Sequence, residues 1–227
     1  MEIAIRHDPS FAVARCALGG GEAIRAESGA MMATSSGVSI EASMRGGLMK
    51  SLKRGVLGGE SLFITTLTAP PAGGWVDVAA HLPGDMVVVE VGAQPLMIQR
   101  GSYIASEDGV EIDTKWAGFK SLFGGEGGFL IRATGHGSVV LSSYGAIDRV
   151  RLADGETMVV DSGHMVAFDE SVTFTLRRAS EGGTIQSLKS GEGFVFDFIG
   201  PGELMTQTRN PTALVQWLST ALPGQRA

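Results

Sequence analysis

Three glutamates hold the clearest potential for chemistry in this sequence, because each stands in a glycine-flanked box and the three are evenly spaced. The boxes are Gly58-Gly-Glu60-Ser-Leu-Phe63, Gly124-Gly-Glu126-Gly-Gly-Phe129 and Ser190-Gly-Glu192-Gly-Phe-Val195. Carboxylates gathered at one axis would raise one another's pKa by like-charge repulsion, or share a cation among hard oxygen ligands. The commoner role of such a residue is structural: it accepts hydrogen bonds from glycine amides, or pairs with a lysine, and so holds its own turn. A reaction also rarely calls for three equivalent acids. The structural role therefore comes first for Glu60, Glu126 and Glu192.

The remaining candidates for catalysis are weaker. His7, His81, His136 and His164 are scattered, and no His-x-His pair exists to found a metal centre of that type. Asp161 and His164 are an acid and a base three residues apart, but within one strand and turn such groups more often make a local hydrogen bond. No Ser-His-Asp set can be assembled, and Gly19-Gly-Gly21 lacks the downstream Lys-Ser/Thr of a phosphate loop. Cys16 is the single cysteine, so no intrachain disulfide and no multi-thiolate site can form. No catalytic residue, metal or cofactor is expected.

Two connectors carry a different kind of chemistry. The segment from Arg45 to Arg54 places Arg45, Lys50, Lys53 and Arg54, four of the 18 basic residues, beside Leu48, Met49 and Leu52. Lys115, Trp116, Phe119 and Lys120 repeat the theme with two aromatics. On one face, these residues would meet an anionic membrane surface, an acidic partner, or RNA through aromatic stacking. The plainer alternative is that their apolar members cover the ends of the β body or contacts between copies, leaving the lysines solvated. A net charge of −6 argues against a general phosphate-backbone binder, so DNA is not expected and RNA is disfavoured.

These residues need elements to position them, and the elements read as β. The 33 glycines in 227 residues are about twice the usual ~7%, and they punctuate short Val, Ile, Phe and Thr segments. Glu22 to Ala33 matches Glu156 to Ala167 position for position, and Gly101-Ser-Tyr-Ile-Ala105 echoes the second half of both. Each continues into an alternating strand, at Val38, Val110 and Val172, then into a glutamate box, then into a further strand. This predicts one domain of three repeats, 1–80, 81–149 and 150–210, with an edge strand in residues 1–17. The stretch from Val91 to Gln99 is expected to be an extended hairpin added to the middle repeat. Asn210-Pro211 starts a helix over 211–222, capped by the Asn side chain, whose face of Leu214, Trp217, Leu218 and Ala221 should pack on the β body. No apolar run is long enough to span a membrane, and residues 1–15 lack the apolar core of a signal peptide, so the expected location is cytoplasmic.

The motifs Gly58-Gly-Glu-Ser-Leu-Phe63, Pro83-Gly-Asp85, Phe123-Gly-Gly-Glu-Gly127, Ser143-Tyr-Gly-Ala146, Val160 to Ala167 and Gln207-Thr-Arg-Asn210 resemble, in fixed order, those of the altered-inheritance-of-mitochondria family. The resemblance covers nearly the whole chain. It implies a threefold duplication of the β fold seen in the trp RNA-binding attenuation protein, within the double-stranded β-helix class. The mitochondrial members are linked to inner-membrane organisation, while this chain has no Arg-rich presequence. The expectation is a non-enzymatic, self-associating β scaffold that presents its basic and apolar connectors to a protein partner or membrane surface. The alternative is a small-ligand or RNA binding module similar to the attenuation protein.

Overall fold

The structure, a computed structural model, describes residues 1–44, 63–113, 130–179 and 194–222. A first group of strands comprises β1 (Glu2–Arg6), β2 (Val13–Leu18), β3 (Ala23–Glu27), β4 (Met31–Thr34), β5 (Ser39–Met44), β6 (Phe63–Thr68) and β7 (Gly74–Ala79). A second comprises β8 (Met86–Val91), β9 (Leu96–Gln99), β10 (Tyr103–Glu107), β11 (Val110–Asp113), β12 (Leu130–Gly135) and β13 (Gly137–Ser142). A third comprises β14 (Ile147–Leu152), β15 (Thr157–Asp161), β16 (Met165–Asp169), β17 (Thr173–Arg178), β18 (Phe194–Ile199) and β19 (Gly202–Gln207), and helix α1 (Pro211–Ala221) follows. The chain is all-β with one C-terminal helix.

The strands form four antiparallel sheets, ordered β1-β2-β7-β4, β5-β6-β3-β10-β13-β8, β11-β12-β9-β16-β19-β14 and β15-β18-β17. One pairing scheme runs through all three groups. β7 takes β2 and β4 while β6 takes β3 and β5; β13 takes β8 and β10 while β12 takes β9 and β11; β19 takes β14 and β16 while β18 takes β15 and β17. Even the irregularities coincide, since register shifts fall between Met31 and Ala33 in β4, Tyr103 and Ala105 in β10, and Met165 and Ala167 in β16. The groups are joined by β3 pairing with β10 and β9 pairing with β16.

Packing follows from this order. Cys16, Val76 and Val78 of the first sheet meet Ile24, Leu67 and Ile104 of the second. Tyr103, Val139 and Leu141 on the second sheet's other face meet Ile98, Ile131 and Met205 of the third. Met97, Phe168 and Leu204 of the third meet Phe196 and Phe198 of the fourth, where the Phe168 and Phe198 rings lie 5.1 Å apart in a tilted pair. The second and third sheets are thus covered on both faces, and their strands read as continuous apolar runs such as Tyr103-Ile-Ala105 and Leu96-Met-Ile98. Cys16 is fully buried, and burial, with the charges of Asp77 and Glu107, pushes its thiol up to about 12.

Two expectations fail here. Val91 to Gln99 is no added hairpin: β8 pairs with β13 while β9 pairs with β12 and β16, so the two strands lie in different sheets. The stretch holds the same place in its group as β3 and β15 in theirs, and its two-sided burial hides the alternation that would have marked it. Helix α1 starts where expected, with Asn210 Oδ1 accepting from the Thr212 and Ala213 amides at 2.9 and 3.3 Å. It does not pack on the β body, however, for none of its residues is buried and Trp217 is 63% exposed. The first edge is also richer than expected, since residues 1–17 supply both the edge strand β1 and the inner strand β2.

Two of the described turns are held by acids. Glu22 Oε2 accepts from the Gly19 amide at 2.7 Å and Glu156 Oε2 accepts from the Ala153 amide at 2.8 Å, each closing the turn before β3 or β15. Gly21 and Gly155 adopt φ of 76° and 73° there, a left-handed conformation that glycine enters without cost.

The first sheet carries a buried ionic knot. Asp77 on β7 receives Arg15 Nε and Nη2 and Arg6 Nη2, each at 2.8 Å, and the Arg15 guanidinium lies 4.0 Å from the Trp75 ring centre. The Arg15 hydrogen bond, aided by the charges of both arginines, holds the Asp77 carboxyl below its ordinary value against the opposing effect of burial. A carboxyl lowered on folding adds stability above its unfolded pKa and loses it as pH falls through the folded one. Asp77→Asn is therefore expected to cost about 2 kcal/mol at neutral pH. In denaturant titrations the gap to the wild type should close once the medium is acid enough to protonate Asp77.

Candidate functional site

A cavity of about 240 Å³ opens where the strands of all three groups end. Glu27 closes β3, Gln99 closes β9 and Gln207 closes β19, while His81 follows β7, Tyr144 follows β13 and Pro211 begins α1. Each polar residue sits there for a backbone reason. A strand that stops short of its neighbours leaves amides and carbonyls unpaired, and polar side chains at its end must meet them.

Most of these side chains are committed. Gln207 Oε1 accepts from the Tyr144 amide at 2.8 Å and its Nε2 donates to the Gly163 carbonyl at 2.9 Å, so one amide side chain joins the second and third groups. Ser143 Oγ donates to the Gly145 carbonyl at 2.8 Å, and Ser102 Oγ donates to Gln99 Oε1 at 3.4 Å. Backbone bonds also tie the loops around them: Asp85 N donates to Gly145 O at 2.8 Å and Arg209 N to Tyr144 O at 3.1 Å. A Cβ on Gly84 would meet the Ser143 carbonyl oxygen at 1.9 Å, which accounts for glycine in the Pro83-Gly-Asp85 turn.

Glu27 and His81 differ from the rest. Among the described residues no hydrogen bond or ion pair reaches the Glu27 carboxylate or the His81 ring. Burial raises the Glu27 carboxyl above its ordinary value, with the nearby His81 and Arg100 charges pulling the other way. The same position is satisfied in the other groups, where Gln99 accepts from Ser102, and Asp161 Oδ1 accepts from the Gly163 amide at 2.8 Å and from Asn210 Nδ2 at 3.4 Å. The cavity thus offers a small polar ligand one open acceptor, one imidazole and a half-apolar wall of Ala80, Leu82 and Ile104. Among the described residues no three His, Cys, Asp or Glu side chains converge as metal ligands.

Glu60, Glu126 and Glu192, with Arg45, Lys50, Lys53, Arg54, Lys115, Trp116, Phe119 and Lys120, all fall outside the described residues. Each glutamate box belongs to the chain between two strands that pair with each other, β5 with β6, β11 with β12 and β17 with β18. Asp161 and His164 have different partners: His164 Nδ1 lies 2.7 Å from the Gln207 carbonyl oxygen, and Asp161 Oδ1 accepts from the Gly163 amide at 2.8 Å. Spacing in the sequence does not single out Glu27, nor does it bring Glu27 together with His81 and Gln207. The available signal was the polar residue two positions before glycine in Glu27-Ser-Gly29, Gln99-Arg-Gly101 and Asp161-Ser-Gly163.

Relatives add a family. A crystal structure of protein SPYM3_0169 from Streptococcus pyogenes superposes with a TM-score of 0.78 at 25% identity, covering 97% of this chain and 99% of that one. An uncharacterised protein of Streptococcus pyogenes serotype M6 is 29% identical over 231 aligned residues, 98% of this chain and 92% of its own. Among the described residues no helix is long and apolar enough to cross a membrane. The family model described as mitochondrial biogenesis AIM24 matches residues 3–209, and the chain belongs to that family.

Proposed function

We propose that the chain is a non-enzymatic β scaffold, built of three copies of one six-strand unit, which self-associates and engages a protein partner or an anionic membrane surface. The recurring pairing scheme and bulge positions support the threefold reading. The observation that carries the scaffold reading is helix α1, where Val215 is 64% and Trp217 63% exposed, with Leu222 just after it at 62%. Apolar surface left in water forgoes about 25 cal/mol per Å², so a helix that the β body leaves bare is best explained by another surface that covers it. The basic residues of 45–54 and 115–120 would supply the contact with an anionic surface. A cytoplasmic setting is in keeping with the one unbridged cysteine, Cys16.

Light scattering over a dilution series, joined to flotation with anionic and neutral vesicles, tests the proposal. The expected results are an assembly of more than one chain and retention on anionic vesicles alone. Exchanging Lys50, Lys53 and Arg54 for Glu should weaken that retention on the order of a hundredfold, at about 1 kcal/mol per charge. The pair Val215→Ser and Trp217→Ser should reduce association or retention without lowering Tm. A single-chain species that floats with neither vesicle, and that draws no partner from its native lysate, would remove the reading.

The cavity favours a second reading, a small-ligand module. In a thermal-shift series, a ligand with hydrogen-bond donors should raise Tm for the wild type and not for Glu27→Gln. The raised Glu27 pKa also gives a sign without ligand. A carboxyl raised on folding opposes stability above its folded pKa, and the penalty fades as pH falls below the unfolded one. Glu27→Gln should then melt higher than the wild type at neutral pH, with the difference vanishing below about pH 4.

A further inference from the structure

We infer that β4 of one copy pairs with β15 of another, so that two copies together form the sheet that one chain leaves unfinished. This rests on the self-association reading above and gives it a surface. Within the chain, β3 crosses to β10 and β9 crosses to β16, and the same scheme would carry β15 to β4. That pairing is not made: among the described residues β4 ends the first sheet and β15 ends the fourth, each bonded on one side only.

The side chains are consistent with an uncovered seam. Met31 and Met32 of β4 are 39% and 56% exposed, whereas Tyr103 and Ile104 of β10 are 0% and 2%, and Met165 and Val166 of β16 are both 0%. Val159 of β15 is 56% exposed, whereas Met97 at the same place in β9 is 1%. Charge tells the same story. Folded proteins guard free strand edges with charged residues, because an unpaired row of amides and carbonyls is a template for another chain. The other edge strands are guarded in this way, by Glu2 on β1, Glu41 on β5, Glu90 on β8, Glu111 on β11, Arg149 on β14 and Arg177 on β17. β4, Met-Met-Ala-Thr, carries no charge, and β15, Thr-Met-Val-Val-Asp, carries only Asp161 at its end, where the carboxylate already caps the Gly163 amide.

The edge that fits β4 is therefore β15, the strand whose counterparts cover β10 and β16, and a second copy is the source of that edge. The two established crossings also set the register. Ser106 opposes Arg25 and Phe168 opposes Met97, and the equivalent pair is Thr34 opposite Val159. Because β4 and β15 are different strands, the contact is head to tail, and it gives a ring if the rotation closes or an open array if it does not.

Directly opposed antiparallel residues have Cα atoms about 4.5–5.5 Å apart, within the span of a disulfide, so cysteines can report this register. Thr34→Cys and Val159→Cys are made as separate full-length proteins, mixed, and oxidised mildly. The native Cys16 is buried and will not compete. The expected result is a bridged dimer in the mixture at about ten times the yield of either variant alone, and a ladder of higher species from the double variant. Met32→Lys with Val159→Lys should shrink the assembly seen by light scattering while leaving Tm unchanged. Equal bridging by either variant alone, or a bridge confined to one chain in the double variant, would overturn the proposal. A wild type that is an assembly yet gives no bridge in the mixture would sink this seam while sparing self-association through another surface. A wild type that is a single chain at every concentration would sink both.

Discussion

Backbone pairing between neighbouring strand groups is the constraint on which the rest of the molecule depends. Where β3 meets β10 and β9 meets β16, two groups share one sheet, and that shared sheet must bury both faces. Burial on both faces is what permits three separate apolar clusters, each between two successive sheets. A polar side chain inside those strands must carry its own partner, as Ser106 does with the Tyr103 hydroxyl at 3.0 Å and Arg25 with the Val110 carbonyl at 3.1 Å. Other polar residues gather at strand ends, where Gln99, Ser143 and Gln207 collect and where the cavity opens.

The same constraint explains what could be read from the sequence. Strands with one solvated face, such as β17 with Thr173, Thr175 and Arg177 turned outward, show period two and were placed correctly. The capped start of α1 was equally plain, because Asn210 and Pro211 act locally. Strand β9 was misassigned because Leu96, Met97 and Ile98 face two different cores, so neighbouring positions are equally apolar. Which strands cross between groups is set by long-range pairing and leaves no local mark. The bare flank of α1 was misjudged for a related reason: amphipathic spacing reveals that a helix has an apolar side, not what that side meets.

The candidate site was legible only in outline. The corner role expected of Glu60, Glu126 and Glu192 falls outside the described residues, and the acids seen to hold turns are Glu22 and Glu156, which accept from an amide three residues back. Glu27 escaped notice because its distinction is relational. Gln99 and Asp161 occupy the same strand-terminal place and find partners in Ser102, Gly163 and Asn210, whereas Glu27 is left facing open space beside His81. A single sequence carries the residue types but not the list of unmet hydrogen bonds.

Cys16 has one more consequence. A thiol held near 12 in the centre of the first core is almost wholly protonated at any physiological pH, and thiols attack electrophiles only as thiolates. Alkylating reagents and peroxides can therefore reach it only when β2 leaves β7. The rate at which an added alkylating reagent consumes Cys16 becomes an internal clock for the opening of the first sheet, with no engineered label needed.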